Sequence, residues 1–357
     1  MSLNDLPPEL LRPILEYVVL ATSTPPKDEH AAGKSRCMQP IWSGNGQMVV
    51  RLEARPPQTN GCGLLASCKC LAVIAQDIID TLHRTRQMVF KLDVLMVGER
   101  ELWTTWLSVP SVTQIVDRLE VQVRIVDGHR DLTRRLEGEI EDSFVQSSIW
   151  IAAQAGPSSA ATWAAYYILC GFLQRGTSLD LVSQPDAPFE AVLTRSRNTE
   201  PPVDREIVVR EIKVEISTLL QTTPAPGNVD YSDWMDARPR RTELVSQTPV
   251  PDAEIIRIRS FCMQPAWLAL YLESGMSSAL SWSVYGTLLY ERLGQVKFVV
   301  DEEVQIAVDV GVIFSALGRQ AAGSDEWVET FRGWWKGTMK KRIQMGLGVG
   351  ISEGLRE

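Results

Sequence analysis

The sequence predicts an α+β protein: a short N-terminal helical module followed by a mixed or antiparallel sheet packed with helices. Three observations predict it. Apolar residues recur at helical spacing from Leu10 to Val18 and again from Leu64 to Leu82. Two-residue alternation then takes over in Val89–Val97, Asp117–Ile125 and Ile207–Leu219. These strands do not alternate with helices in the regular manner of a doubly wound fold, so the two kinds of element are expected to segregate.

Leu10, Leu11, Ile14, Leu15 and Val18 place one wide apolar stripe on the first helix. Asp5 can cap its entry, and Pro7 and Pro8 suit a first turn, where a missing N–H costs nothing. Leu3 and Leu6 can fold back onto the stripe as a hydrophobic staple does. Such an element packs on its own domain or on a partner. The stretch from about 20 to 62 is polar and broken by Pro25-Pro26, Gly33, Pro40, Gly44, Gly46 and Pro56-Pro57. That composition reads as a flexible insertion, which Ile41-Trp42 and Met48-Val49-Val50 could anchor as a strand. Leu64, Leu65, Cys68, Leu71, Ile74, Ala75, Ile78, Ile79 and Leu82 then predict one helix, or two in succession.

Leu6-Pro7-Pro8-Glu9-Leu10-Leu11, followed by Ile14-Leu15, resembles the opening of an F-box, in which Leu-Pro-x-Glu-Leu-Leu precedes Ile-Leu by two residues. Leu64-Leu65-Ala66-Ser67-Cys68-Lys69-Cys70-Leu71 is similar to the second part of that motif. Phe90-Lys91-Leu92-Asp93, Leu102-Trp103-x-x-Trp106-Leu107-Ser108-Val109-Pro110 and Val116-Asp117 extend the likeness to a large set of filamentous-fungal proteins with an F-box-like start. The resemblance implies that the two parts pack together and dock on a Skp1-like adaptor of a cullin ubiquitin ligase. It implies partner-binding roles for Leu6, Pro7, Leu10, Leu11, Ile14 and Leu15, with Leu65, Cys68 and Leu71 packing behind them. The remainder would then present a surface to an unknown target protein. The residues themselves leave a second possibility open, in which the N-terminal helices belong to the protein's own core and carry no ligase link.

The organisation expected is therefore residues 1–85 as an F-box-like module, 86–345 as an α+β domain, and 346–357 as a flexible tail. Within the second unit, Val89–Val97 turns Phe90, Leu92, Val94 and Met96 to one face. Leu102–Leu107 reads as an aromatic linker or short helix ending before Pro110. In Asp117–Ile125, Leu119, Val121, Val123 and Ile125 point inward while Arg118, Glu120, Gln122 and Arg124 form a wet face. The charged stretch 130–142 reads as a solvated helix or loop, and Thr162–Gln174 as a core helix that stops at Gly176. Proline and glycine break the stretch from 222 to 252 into a long irregular loop. Met263–Leu293 reads as helical, and 295–300 with 304–310 as a hairpin around Asp301-Glu302-Glu303.

Trp327, Phe331, Trp334, Trp335 and Met339 share one broad face of a final helix capped by Ser324 or Asp325. Lys336, Lys340, Lys341 and Arg342 gather near its C-terminal end, which favours cations. Closure of the core by this helix is the expectation, with a lipid-surface role as the other possibility.

A chain of 357 residues, 45% hydrophobic, is long enough for one large domain or two ordinary ones. A net charge of −8 gives no global attraction to nucleic acid or to an anionic membrane. No apolar run reaches the length of a transmembrane helix, and the start lacks a signal-peptide pattern, so a cytoplasmic or nuclear location is expected. Six scattered cysteines read as reduced thiols, and those at Cys62, Cys68 and Cys70 as buried ones. Cys62, Cys68, Cys70 and His83 match no zinc spacing, so no metal is expected. His30, His83 and His129 stand without a catalytic motif, and neither a nucleophile elbow nor a phosphate-binding loop linked to a strand occurs. Gly346-Leu347-Gly348-Val349-Gly350 precedes no βα unit, and the acids at 301–303 read as solvated. The function expected is non-enzymatic protein interaction without a cofactor.

Overall fold

The structure is a computed structural model that describes residues 6–26, 36–43, 46–53, 57–97, 101–126, 159–177, 206–218, 283–300, 302–320 and 326–349. In chain order the elements are α1 (Pro8–Val19), β1 (Arg36–Ser43), β2 (Gly46–Glu53), α2 (Cys62–Leu65), α3 (Lys69–Arg84), β3 (Val89–Val97), β4 (Glu101–Ser108) and β5 (Ile115–Val126). After them come α4 (Ser159–Arg175), β6 (Val208–Thr218), α5 (Ser283–Arg292), β7 (Leu293–Val300), β8 (Glu303–Asp309), α6 (Val310–Gln320) and α7 (Glu326–Gln344). The fold is α+β with a mixed sheet, as the periodicities predict. The stretch 130–142 read as a solvated helix or loop, the loop at 222–252 and residues 263–282 lie outside the described residues.

Eight strands form one sheet in the order β1-β2-β4-β3-β5-β6-β7-β8. β3, β5, β6 and β7 run parallel to their neighbours in that series, while β1/β2, β3/β4 and β7/β8 are antiparallel hairpins. Two parallel steps enclose helices, β5–α4–β6 and β6–α5–β7, so the second half contains the strand–helix alternation that the sequence does not display. Long connecting stretches of sequence dilute that alternation beyond recognition. Phe90, Leu92, Val94 and Met96 meet Leu119, Val123 and Ile125, then Ile212 and Ile216, then Val296 and Phe298, on one sheet face. Buried residues of α1, α3, α4, α5 and α6 belong to the same continuous core. The ring of Phe172 in α4 packs on both Phe90 and Trp106.

Leu102–Leu107 is strand β4, correcting the expectation of a linker or short helix. It is buried on both faces, which erases the alternation that marks a half-wet strand. Trp106 faces the core, while Trp103 packs on Leu95 and Val97 beneath the guanidinium groups of Arg36 and Arg51. β2 pairs with β4 only along Val49–Arg51. Beyond it, β4's edge is closed by other groups: Glu53 accepts the Trp106 N–H at 3.1 Å, Arg36 donates to Thr104 O, and the Ser23 N–H donates to Leu107 O at 2.7 Å. Burial pushes the Glu53 carboxyl above its ordinary value, against the opposing pull of the Trp106 N–H and Arg36. The stretch read as a flexible insertion thus supplies two strands, with Val50 and Leu52 in the core.

The second sheet face is wet in part, with Lys91, Glu120, Gln122, Lys213 and Glu215 half-buried. Arg124, expected on that wet face, is buried instead in a bidentate pair with Asp93 at 2.5 and 2.7 Å. The β7/β8 hairpin forms as predicted, with Val300 paired to Glu303 and Glu302 at φ +66°. α4 stops at Gly176, whose φ of +73° suits glycine.

β7 carries a second constraint. A Cβ on Gly294 would lie 2.2 Å from the backbone oxygen of Arg210 in the neighbouring strand. Gly294→Ala therefore has to force β6 and β7 apart, at an expected cost of about 3 kcal/mol. A thermal midpoint unchanged from wild type would contradict this close approach.

α7 closes the core through Trp334, Trp335 and Met339, in line with the expectation for its aromatic face. Arg342 departs from it. Instead of joining the solvated lysines it is fully buried, donating to Tyr290 O, Leu293 O and Gly348 O, and burial lowers its pKa to about 10. These bonds and the burial of Leu347 hold the chain through Val349, inside the stretch read as a flexible tail, whose remainder lies outside the described residues.

Candidate docking surface

α1 is helical because Pro7 and Pro8 preset its entry and no glycine interrupts it. Its cap position is Pro7, which has no side-chain oxygen, so no side-chain cap forms there. The Leu10 and Leu11 N–H groups donate instead to Pro7 O, each at 3.0 Å. Pro13 sits inside the helix at an exposed position, where water can take the carbonyl bond that it forfeits.

The broad apolar stripe divides into two faces. Leu11 (3% exposed), Leu15 (1%) and Val19 (0%) enter the core. Leu10 (57%), Ile14 (41%), Tyr17 (79%) and Val18 (36%) form a second row facing solvent. At 100° per residue, the outer four lie on one side and the inner three about 110° around from them. Glu9, Arg12 and Glu16 occupy the remaining side, and Arg12 reaches Asp77 of α3 at 2.5 Å. Single exposed apolar side chains are ordinary, but four on one face of a twelve-residue helix are not.

The sequence-predicted residues separate accordingly. Leu10 and Ile14 are exposed, and Pro7 is exposed at the helix entry. Leu6 is half-buried against the core. Leu11 and Leu15 face inward, where a partner cannot reach them in the folded chain. Of the three residues expected to pack behind α1, Leu71 is buried and Cys68 packs partly against the core, but Leu65 is exposed. Tyr17 and Val18 complete the outer face. Val18 was already within the sequence periodicity; Tyr17 was hidden because its ring does not follow the stripe that enters the core.

The C-terminal end of α1 is tied to the sheet. Asn60 Nδ2 donates to Val19 O at 2.9 Å and to Ala21 O at 2.7 Å, while the Asn60 N–H donates to Val109 O at 2.8 Å. Downstream, Arg124 donates to Pro26 O at 2.8 Å. The outer face is thus carried on a helix that is itself part of the core.

Among the described residues the cysteines do not gather into a second site. Cys62 and Cys70 are exposed, correcting the expectation of buried thiols there; Cys37 is exposed as well, whereas Cys170 is buried and its thiol pushed up to about 12 by desolvation. Among the described residues no group of three His, Cys, Asp or Glu side chains could hold a metal ion. Among them, too, no helix is long and apolar enough to cross a membrane.

No protein-family model, curated protein or solved structure matches the chain.

Proposed function

We propose that this chain is a non-enzymatic interaction protein, working in the cytoplasm or nucleus, that docks a Skp1-like adaptor through the outer face of α1. The observation that carries the reading is the division of α1: Leu11, Leu15 and Val19 build the core while Leu10, Ile14, Tyr17 and Val18 remain outside. A helix anchored on one side and apolar on the other is suited to insertion between partner helices, where apolar anchors at i, i+4 and i+7 supply the contact. The resemblance of Leu6–Leu11 and Ile14-Leu15 to the opening of an F-box names the adaptor. By the same resemblance, the remainder of the chain presents a surface to a protein destined for ubiquitylation.

A pulldown of the full chain on a purified Skp1-like adaptor tests this. Wild type is expected to bind, and Leu10→Asp or Ile14→Asp to bind at least tenfold more weakly, a charge having replaced a buried anchor. Because both side chains face solvent, each variant should keep a stability within about 0.5 kcal/mol of wild type. A second reading, helices serving only their own core, is favoured by the burial of Leu11, Leu15 and Val19. Absence of wild-type binding would leave that reading in place.

A further inference from the structure

We propose that Asn60 is the positioning residue of this docking face, setting the pitch at which α1 presents Leu10, Ile14, Tyr17 and Val18; the inference rests on the docking role assigned above. A helix ends with carbonyls that its own N–H groups cannot reach. In α1, the Leu20 and Ala21 N–H groups close on Glu16 O and Val18 O, and the last turn has no basic residue to answer the rest. Asn60 supplies the missing donors. Its Nδ2 reaches Val19 O and Ala21 O and lies 3.2 Å from Ser108 Oγ, while its own N–H is spent on Val109 O.

One side chain thereby clamps the end of α1 to the end of β4. Toward the other end, α1 is held to α3 by the burial of Leu11 and Leu15, and the half-exposed Arg12–Asp77 pair adds little to that. From Val19 to Leu10 the helix rises about 13 Å, so a 15° change of pitch at the clamp displaces Leu10 by roughly 3 Å. That is enough to take an anchor out of register with a partner pocket. The requirement is for a donor: an aspartate at the same place would set a carboxylate against two carbonyl oxygens.

The test uses the full chain, a purified Skp1-like adaptor, and three readouts: binding affinity, amide exchange of α1, and the midpoint of global unfolding. Asn60→Ala is expected to weaken adaptor binding roughly five- to tenfold, as the competent pitch becomes a minor population. Exchange at the C-terminal end of α1 should accelerate, and Asn60→Gln, which restores the donor, should recover part of the affinity. Should Asn60→Ala fail to fold, Asn60→Ser takes its place with the same expectation. Wild-type affinity in the folded fraction of the variant would overturn the proposal, leaving Asn60 a structural residue alone. Wild-type protein that fails to bind the adaptor would overturn the docking reading itself, and this inference with it.

Discussion

Leu15→Asp is expected to unfold the protein, whereas Leu10→Asp, five residues earlier on the same helix, leaves it folded. Leu15 lies in the core beside Leu11 and Val19, and truncating a buried leucine to alanine already costs about 2–5 kcal/mol. A carboxylate at that position adds the penalty of an unpaired buried charge, and the sum approaches the whole stability of an ordinary domain, about 5–15 kcal/mol. Leu10 has more than half its surface in water and loses little. Circular dichroism and denaturant titration of the two variants read the difference directly. Equal stability would mean that α1 is not part of the core. Equal collapse would mean that its outer face is covered, and the docking surface would then be lost with it.

Asp93→Ala should cost about 3–5 kcal/mol, since it strands the buried guanidinium of Arg124. Both carboxylate oxygens of Asp93 accept from Arg124, at 2.5 and 2.7 Å, and neither side chain has appreciable contact with water. Arg124 also holds Pro26 O, so losing its partner loosens the segment that follows α1. Removing both charges, as Asp93→Leu with Arg124→Met, should restore most of the stability, because the desolvation of the pair offsets much of its attraction. Urea unfolding of Asp93→Leu, Arg124→Met and the double variant closes the cycle. A cost below about 1 kcal/mol for Asp93→Ala would place the pair in water, at odds with its burial.

Much of the fold was legible because its signals are local. Phe90, Leu92, Val94 and Met96 recur at every second residue around Lys91 and Asp93, and the β3 face they build is the one observed. Gly176 ends α4, and Glu302 turns the β7/β8 hairpin, where the residue patterns placed them. β4 escaped because Leu102, Trp103, Trp106 and Leu107 are buried on both faces, and a strand without a wet side has no period of two. Within the insertion only Ile41-Trp42 and Met48-Val49-Val50 hinted at a strand; the full extent of β1 and β2 was obscured by the polar residues around them, and they are held through Arg36, Glu53 and the core contacts of Val50 and Leu52.

The candidate site divides in the same way. The amino-acid sequence alone determined that α1 would be a helix with an apolar stripe at its entry, because helical spacing and proline chemistry act over a single turn. Which of those apolar residues enter the core, and which stay outside, was decided only by tertiary structure. Leu11, Leu15 and Val19 turn inward because α3 and the sheet offer them a surface and Asn60 holds the helix end in place. Leu10, Ile14, Tyr17 and Val18 remain outside because a cylinder packed along one side leaves the other in water. The order of the eight strands and the parallel run β3-β5-β6-β7 were decided in the same way, since pairings between distant segments depend on the surface they bury together.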